Sequence, residues 1–375
     1  VSAMNELELS RKEISRIDAE MAKLFEERMH QCENVAAYKK EHGLSVRDSA
    51  REAELIDRSR TLIESKEIES YYVRFLRSTI DLSCKYQSKL LGGMKVAYCG
   101  DEGAFAYIAA LRMFPDSQLI SYPDFTKAYR AVENGECDCT VLPLENSYAG
   151  EVGTVMDLVF SGSLFVNQVI DVPVTHSLVG LEGASVDTIK TVISHPQALA
   201  QCGGYMSQHG FKTVSDTNTA LAVKHVREGG DPTVAAVASA EAAEIFGLKT
   251  IVERINDNPN NTTRFAAFSR AQNSPAAAAK REDESFILVF TVQNEAGSLA
   301  KTLNIIGAHG FNMRSLRTRP MKDLQWNYFF YIEAEGNVNT ENGRDMLREL
   351  SAICAKLKLV GTYYSKLSTQ DGDKQ

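Results

Sequence analysis

The sequence predicts three folded parts: an all-helical domain, an α/β domain of two lobes, and a small α+β domain with the order βαββαβ. Three observations support this fold class. Before Gly92 the chain has one glycine and no proline, and its apolar residues recur at three- and four-residue steps. After Gly92, short apolar strands alternate with helices. Near the end, a segment of linker composition is followed by one more series of strands and helices.

The domain boundaries follow changes of composition along the chain. Gly92-Gly93 interrupts the helical periodicity, and the later segment AQNSPAAAAKRED has the composition of a linker. We therefore expect a helical domain at 1–92, an α/β domain at 93–270, a linker at 271–283, an α+β domain at 284–365 and a polar tail at 366–375.

Length and charge limit the classes of protein to consider. At 375 residues the chain is long enough for two or three cores, and 44% apolar with 24% charged residues is ordinary for a soluble globular protein. A net charge of −8 gives no electrostatic reason to expect nucleic acid or an anionic membrane as a partner. No apolar run approaches the roughly 18 residues that cross a bilayer. The polar, acidic start of the sequence lacks the apolar stretch of a signal peptide.

The cysteines and glycines predict neither a metal nor a cofactor. Seven cysteines without a framework spacing predict free thiols in a cytoplasmic protein. Cys137-Asp138-Cys139 lacks the second Cys or His pair that a zinc site needs. The glycine turn at Gly100–Phe105 is not the GxGxxG pattern of a dinucleotide site. We therefore expect side chains alone to carry the chemistry.

The first domain reads as three helices. An amphipathic helix extends to about His42, where Gly43 is a stop signal. Asp48 is placed to cap a second helix, and a third spans about Ile68–Leu91. Such a long first helix does not easily close a core within one compact chain, so the sequence predicts a helical dimer.

Polar residues recur at informative spacings on these helices. Arg28 and Lys39 are eleven positions apart, which places them within about 20° of each other around the helix. Arg11 lies about 100° away from Arg28, and we expect it to point into the pocket of a partner subunit. Ser83 and Gln87 form an i,i+4 pair on the third helix.

Together these positions resemble the signature of the all-helical chorismate mutases, over residues 11 to 87. That family rearranges chorismate to prephenate without a nucleophile or a proton transfer, so its enzymes select a conformer and stabilise developing charge. The resemblance implies that Arg11 and Arg28 hold the two carboxylates. It also implies that Lys39 and Gln87 donate to the ether oxygen. Further residues would orient the ring hydroxyl and a carboxylate: Asp48, Arg51, Glu52 and Ser83.

In the α/β domain, polar segments lie where predicted strands begin or end. Glu145-Asn146-Ser147 follows the strand at 139–143, and Ser194-His195-Pro196-Gln197 follows the strand at 191–193. After the turn signal Asn258-Pro259, the segment 260–265 leads into an apolar run. The alternation predicts a largely parallel sheet in each of two lobes, with a ligand site between them.

These segments, together with Thr263-Arg264-Phe265, resemble the prephenate dehydratases over residues 94 to 268. That family has a fold like periplasmic binding proteins and removes carbon dioxide and hydroxide from prephenate in an interlobe cleft. The resemblance implies that Thr263 contacts the departing hydroxyl and that Glu145 supports the proton network. The substrate would be held by the remaining motif residues: Asn146, Ser147, Ser194, Gln201, Arg264 and Phe265. One loop departs from the family, with Asp101 for its proline and Ala104 for its threonine.

The last domain resembles the ACT domain, an amino-acid sensor. Gly297-Ser298-Leu299 corresponds to the family's Gly-Ala-Leu, and Arg317-Thr318-Arg319-Pro320 to its Glu-Ser-Arg-Pro, with Arg317 replacing the acidic residue. The resemblance implies phenylalanine as an allosteric ligand, bound by these seven residues together with Asn312. The alternative is that this domain only dimerises.

The whole chain thus resembles the bifunctional chorismate mutase–prephenate dehydratases. This interpretation predicts a homo-oligomer, a dimer or tetramer, that acts on chorismate and prephenate under phenylalanine feedback without cofactor or metal. One alternative is a dehydratase that prefers arogenate, the amino analogue of prephenate. The other is a ligand-binding regulator without enzyme activity.

Overall fold

The computed structural model describes three stretches of the chain: residues 6–274, 283–321 and 327–364. Most of the predicted linker and the predicted tail, together with Trp326, lie outside these stretches. The chain divides into two compact units, one of residues 1–41 and 45–93 and the other of residues 42–44 and 94–375. We call them the helical unit and the second unit.

The three predicted helices of the helical unit are confirmed. They are α1 (Glu6–His42), α2 (Ser49–Arg60) and α3 (Lys66–Leu91). Asp48 caps α2 as expected, because its side chain accepts a hydrogen bond from the backbone N–H of Arg51 at 3.0 Å. Large apolar side chains along α1 remain 42–63% exposed: Leu7, Leu9, Ile14, Ile17, Met21, Leu24, Phe25 and Val35. An apolar face of this extent calls for a covering surface.

The first lobe of the second unit begins with alternating strands and helices. The elements are β1 (Lys95–Cys99), α4 (Phe105–Met113), β2 (Gln118–Tyr122), α5 (Phe125–Glu133), β3 (Cys139–Asn146), β4 (Gly150–Glu151), α6 (Gly153–Ser161) and β5 (Phe165–Pro173). The second lobe follows without interruption. Its elements are β6 (Ser177–Gly180), β7 (Thr191–Ser194), α7 (Pro196–Gln201), α8 (Gly203–His209), β8 (Lys212–Ser215), α9 (Thr219–Gly229), β9 (Val234–Ala238), α10 (Ala240–Ile245) and β10 (Lys249–Val252).

The chain then returns to the first lobe and ends in a C-terminal module. The return strand is β11 (Thr262–Ser269). The module contains β12 (Glu284–Thr291), α11 (Ser298–Ala308), β13 (Asn312–Pro320), β14 (Tyr328–Glu335), α12 (Glu341–Ile353) and β15 (Lys356–Tyr364). The predicted order βαββαβ is thereby confirmed.

The prediction of largely parallel sheets is only partly right. In the first lobe β1 is parallel to β2 and β3, but β11 is antiparallel to both of its neighbours, β3 and β5. In the second lobe β7 is parallel to β8 and β9, whereas β6 is antiparallel to β9 and β10. The chain returns to the first sheet from the second lobe, so β11 runs antiparallel to β3. The first residues of β11 therefore lie beside the last residues of β3.

Two segments connect the lobes, and they are hydrogen-bonded to each other. The outgoing segment follows β5 and the returning one precedes β11. Asn256 accepts from the backbone N–H of His176 at 2.6 Å and donates to the carbonyl of Val174 at 2.9 Å. The backbone N–H of Val174 also donates to the carbonyl of Asn261 at 2.8 Å. The start of β11 is therefore held beside the crossing between the lobes.

The C-terminal module continues the sheet of the first lobe. The strand order is β13-β14-β12-β15-β5-β11-β3-β1-β2, with β15 joined to β5 at Gly361 and Val166. One hydrophobic cluster contains residues of both parts, for example Val166 and Phe268 with Phe329 and Tyr363. The module is thus packed against the first lobe and shares its core. Within the described stretches, no helix is long and apolar enough to cross a membrane.

Candidate active sites

The first candidate site lies between α1 and α3 of the helical unit. Lys39 Nζ donates to Gln87 Oε1 at 3.2 Å and also donates to the backbone carbonyl of Val46. Arg28, about three turns before Lys39 on α1, donates to Ser83 Oγ, about one turn before Gln87 on α3. The structure thus brings together four residues that the spacing placed on facing helices. Ser83 and Gln87 are buried.

The pKa of Lys39 is shifted by this arrangement. Burial lowers the pKa of Lys39 below the ordinary 10.5 of lysine, while nearby Cys84, Asp48 and Glu52 act in the opposite direction. An ammonium group has three donors, and two of them are directed at Val46 and Gln87. The third donor is therefore available for a ligand.

The other predicted residues of the helical unit are Arg11, Asp48, Arg51 and Glu52. Asp48 uses its side chain to cap α2, and Arg51 forms an ion pair with Glu54 at 2.9 Å. Glu52 lies 3.6 Å from Arg47. Arg11 is exposed, and because it is seventeen residues from Arg28 on one continuous helix, the two lie about 25 Å apart. Arg11 and Arg28 of one chain therefore cannot hold the same small substrate.

The second candidate site is formed where β3 ends and β11 begins. Thr263 pairs with Asn146 in the antiparallel ladder. Asn146 Nδ2 donates to Thr263 Oγ1 at 2.9 Å and to Asn261 Oδ1 at 2.7 Å, while Asn146 Oδ1 accepts from the backbone N–H of Ala149 at 2.8 Å. Asn146 is thus fixed at both ends of its amide. Asn261, which the motifs did not single out, is part of this network.

Ser147 joins the loop before β11 to the loop after β3. Its backbone N–H donates to the carbonyl of Thr262 at 2.8 Å, and its Oγ accepts from the backbone N–H of Thr262 at 2.9 Å. Ser147 Oγ also donates to the carbonyl of Asn260 at 3.1 Å. These bonds hold Asn146 and Thr263 at one position along the two strands.

The predicted residues of the second lobe have polar partners of their own. Ser194 Oγ is buried and donates to the carbonyl of Val237 at 2.6 Å. Gln201 Oε1 lies 2.9 Å from Nε2 of His176, on the segment that connects the lobes. His195 accepts from the backbone N–H of Gln197 at 3.2 Å and so caps α7.

His176 is a residue that the sequence reasoning missed. It is 2% exposed, and burial lowers the pKa of its imidazole below the ordinary value, against the effect of the Gln201 hydrogen bond. Phe105 packs edge-on against the ring, with 5.8 Å between the centroids. Within the part of the chain that the structure describes, His176 Nδ1 has no hydrogen-bond partner. His176 belongs to no motif in the sequence, so only the structure shows that its ring is buried beside Gln201 on the segment between the lobes.

Glu145, Arg264 and Phe265 are not brought together with Asn146 and Thr263. Side chains alternate along a strand, so Glu145 and Arg264 lie on the sheet face opposite to their neighbours Asn146 and Thr263. On that face Arg317 of β13 donates to Glu145. Phe265 is 2% exposed and belongs to the core of the first lobe.

Arg264 is held by two carboxylates. Its Nε donates to Asp171 Oδ1 at 3.1 Å, and its Nη1 donates to both carboxylate oxygens of Glu333 at 3.2 Å. Burial acts to lower the pKa of Arg264, but Glu333 and Asp171 raise it above its ordinary value. The guanidinium is therefore a permanent charge within an ion-pair network.

The C-terminal module has a cavity of about 120 Å³ near the start of α11. Its lining is Val292, Gln293, Asn294, Glu295, Leu299, Asn327, Tyr328 and Phe330. Leu299 belongs to the predicted regulatory set, in which Gly297 caps α11 and Ser298 begins it. Thr318 and Pro320 pair with Phe330 and Tyr328 in the β13–β14 ladder.

The remaining predicted regulatory residues contact other groups. Arg319 forms ion pairs with Glu151 at 2.8 Å and with Asp157 at 3.2 Å, both in the first lobe. Asn312 Nδ2 donates to Glu335 at 2.9 Å. Arg317 and Arg319 therefore face the first lobe, whereas Leu299 lines the cavity.

The chain matches two family models, one described as chorismate mutase type II over residues 10–88 and one described as prephenate dehydratase over residues 96–273. It is 28% identical over 382 residues to the bifunctional chorismate mutase/prephenate dehydratase of Buchnera aphidicola subsp. Acyrthosiphon pisum, covering 98% of each chain. It is 31% identical over 286 residues to arogenate dehydratase/prephenate dehydratase 1, chloroplastic, of Arabidopsis thaliana, covering 72% of each.

Two solved structures share the fold of the second unit. Prephenate dehydratase from Arthrobacter aurescens in complex with L-Phe is 27% identical, with a TM-score of 0.65 over 72% of this chain and 90% of that one. GqqA, described as a novel type of quorum quenching acylase, is 29% identical, with a TM-score of 0.66 over 73% of this chain and 98% of that one. The two enzyme domains predicted from the motifs are confirmed by the family matches. The chain belongs to the family of bifunctional chorismate mutase/prephenate dehydratases.

Proposed function

We propose that this chain rearranges chorismate to prephenate in the helical unit, converts prephenate to phenylpyruvate in the second unit, and is inhibited by phenylalanine at the C-terminal module. The observation that carries the dehydratase assignment is the hydrogen bond from Asn146 to Thr263, where the ends of β3 and β11 meet. We assign the C-terminal module as an ACT domain on its βαββαβ order and its cavity.

In the mutase reaction, Lys39 and Gln87 stabilise the transition state. The ether oxygen of chorismate gains negative charge as its C–O bond breaks. The third N–H of Lys39 and the amide N–H₂ of Gln87, whose Oε1 already accepts from Lys39, supply donors for that oxygen. Arg28 binds a substrate carboxylate, and its bond to Ser83 fixes the guanidinium. Removing one such donor costs about 3 to 4 kcal/mol of transition-state stabilisation.

A second copy of the chain completes the mutase site in this proposal. The exposed apolar face of α1 needs a covering surface, and an identical face supplies one in a symmetric dimer. Since Arg11 is about 25 Å from Arg28 on its own helix, it serves the site of the other copy. The dimer therefore supports both the core of the helical unit and its second carboxylate contact.

In the dehydratase reaction, Thr263 assists the departing hydroxyl. The bond between the ring and its carboxylate breaks and releases carbon dioxide, the electron pair completes the aromatic ring, and the leaving hydroxide takes a proton from solvent to become water. Thr263 Oγ1 accepts from Asn146, which leaves the Thr263 O–H free to donate to the leaving oxygen. An alkyl hydroxyl is a weak acid, so Thr263 acts as a polarised donor. Ser147 and Ser194 support the site through their bonds to backbone groups, and the amide N–H₂ of Gln201, whose Oε1 faces His176, is a donor for the substrate.

Phenylalanine binding is supported by the cavity in the C-terminal module. Leu299 and Phe330 supply apolar contact for a phenyl ring, and Glu295 supplies an acidic group for an α-ammonium. Arg317, the residue with reversed charge in this domain, is engaged with Glu145. A similar solved structure is a complex with L-Phe.

The test follows phenylpyruvate and prephenate from chorismate in wild type, Thr263→Ala and Lys39→Ala, with and without phenylalanine. We expect Thr263→Ala to accumulate prephenate, Lys39→Ala to block its formation, and phenylalanine to slow the wild type. A parallel assay with arogenate measures the substrate preference of the dehydratase. Unchanged phenylpyruvate formation by Thr263→Ala would contradict the proposed site. An unchanged rate with phenylalanine would restrict the C-terminal module to a structural role.

A further inference from the structure

The C-terminal module contacts the strands of the candidate dehydratase site from behind. Glu145 and Arg264 are direct neighbours across the β3–β11 ladder, one residue before Asn146 and one residue after Thr263. Alternation along the strands places this pair on the opposite face of the sheet from Asn146 and Thr263. The two pairs therefore share the same peptide units but face different surroundings.

The C-terminal module supplies an ion-pair partner for each of Glu145 and Arg264, and Arg264 also pairs with Asp171 of the first lobe. Arg317 of β13 donates to Glu145, and its guanidinium lies over the ring of Tyr331, 5.5 Å from the centroid. Glu333 of β14 accepts two hydrogen bonds from Arg264 at 3.2 Å. Two separate strands of the module thus make ion pairs with two adjacent strands of the first lobe.

Burial strengthens the hold of these two ion pairs on the positions of Glu145 and Arg264. Glu333 is 2% exposed and also accepts from the hydroxyl of Tyr363, while the Arg317 side chain is 18% exposed. Glu145 and Arg264 are 33% and 29% exposed, so the buried carboxylate of Glu333 and the largely buried Arg317 are the groups that lose most when these pairs separate. Arg319 adds ion pairs to Glu151 and Asp157 nearby, so the module is also docked independently of Arg317.

We propose that Arg317 and Glu333 of the C-terminal module are positioning residues of the dehydratase site, because they hold Glu145 and Arg264 and thereby fix Asn146 against Thr263. The inference rests on the proposed function, in which the Asn146–Thr263 pair assists the leaving hydroxyl. Neither Arg317 nor Glu333 touches the substrate. Their effect reaches the reaction through the backbone of β3 and β11.

The main test is a double-mutant cycle on prephenate dehydration. We expect Arg317→Gln and Glu145→Gln each to lower kcat about tenfold with KM changed less than about twofold, because a small displacement of a reacting group is costly in rate. The double variant should fall no further than either single variant, since both remove the same ion pair. Arg317→Lys keeps the positive charge and should recover most of the rate.

Matched controls separate positioning from loss of structure. Arg348→Gln removes an exposed arginine of α12 that pairs with Asp345 at 2.6 Å, and it should keep the wild-type kcat. The unfolding midpoint of each variant is measured in urea. If Arg317→Gln lowers that midpoint, Glu333→Gln provides the second test, because it removes the buried one of the two charges that face Arg264 while keeping the shape of the side chain. It should also lower kcat about tenfold.

Three results would contradict the positioning role. The first is a wild-type kcat in Arg317→Gln or Glu333→Gln, and the second is an effect on KM alone. The third is a loss of about a hundredfold in the double variant, which would mean that the two substitutions act independently. Thr263→Ala is assayed alongside. If it abolishes dehydration while the cycle shows no coupling, only the positioning role fails. If it retains the wild-type rate, the proposed site fails and the inference fails with it.

Discussion

Lys39 shows at the scale of single residues how local packing sets the chemistry of a side chain. Its ammonium is held by Val46 and Gln87 in a largely buried position, and burial is the main cause of its lowered pKa. The proposed mutase reaction needs the protonated form. The pKa of this one side chain therefore sets an upper pH limit for the first reaction.

We predict that mutase kcat is constant at neutral pH and falls as pH rises through the pKa of Lys39, which lies below the 10.5 of ordinary lysine. In Lys39→Arg the rate is lower, but the alkaline fall should disappear because a guanidinium stays protonated there. The measurement is the pH profile of kcat for both proteins from about pH 7 to about pH 10. The same alkaline fall in Lys39→Arg would assign it to another group, for example Cys84.

The dehydratase site shows a different relation between residue and function. Asn146 and Thr263 are single positions in two motifs, and their contact follows directly from the register of β3 and β11. Their neighbours Glu145 and Arg264 belong to the same motifs but face the C-terminal module. A motif therefore identifies a segment, while strand alternation decides which of its residues face the substrate.

At the scale of elements, the pairing of β15 with β5 joins the C-terminal module to the first lobe. The contact is at Gly361, where an added Cβ would lie 1.8 Å from the carbonyl oxygen of Val166. No side chain fits there unless the strands separate. The glycine is thus required by the close approach of two backbones.

We predict that Gly361→Ala lowers the free energy of unfolding by about 2 kcal/mol, because overpacking forces β15 away from β5. The measurement is urea unfolding followed by circular dichroism. Gly307→Ala is the matched control, since no atom lies within 4 Å of a Cβ at this helical position. It should instead raise the free energy of unfolding by about 0.5 to 1 kcal/mol. Equal stability of Gly361→Ala and wild type would refute the tight β15–β5 contact.

At the scale of the whole molecule, α1 is the element that a single chain leaves incomplete. One stripe along the helix is formed by Leu7, Ile14, Ile17, Met21, Leu24 and Phe25, and Arg28 and Lys39 lie within the same sector. A surface that covers the stripe therefore also borders the mutase site. Association through α1 therefore affects the mutase reaction but not the dehydratase reaction.

We predict that Ile14→Glu, which places a charge in this stripe, halves the mass of the assembly and lowers mutase kcat at least tenfold, because a buried carboxylate opposes association. Dehydratase kcat should stay within about twofold of wild type, since the first lobe and C-terminal module share a core of their own. The measurements are sedimentation equilibrium and both assays. Lys23→Glu, on the opposite side of α1, is the control. A fully active mutase monomer would exclude the shared site.

Much of this architecture follows from the sequence by itself. Periodicity, glycine and proline usage and the Asp48 cap predict the three helices, and strand–helix alternation predicts the second unit and its βαββαβ end. The short edge strands β2, β8 and β10 were not expected, because edge strands carry little apolar pattern. The motifs also identified the family, since they combine residue types at fixed separations.

Only the tertiary structure decided which residues meet across long distances in sequence. It set β11 antiparallel to β3, gave His176 its place between the lobes, and directed Arg317 and Glu333 toward Glu145 and Arg264. The reason is physical. Helix periodicity and caps depend on neighbours within about four residues, whereas strand register and interdomain ion pairs depend on contacts between segments more than a hundred residues apart, as for Asn146 and Thr263.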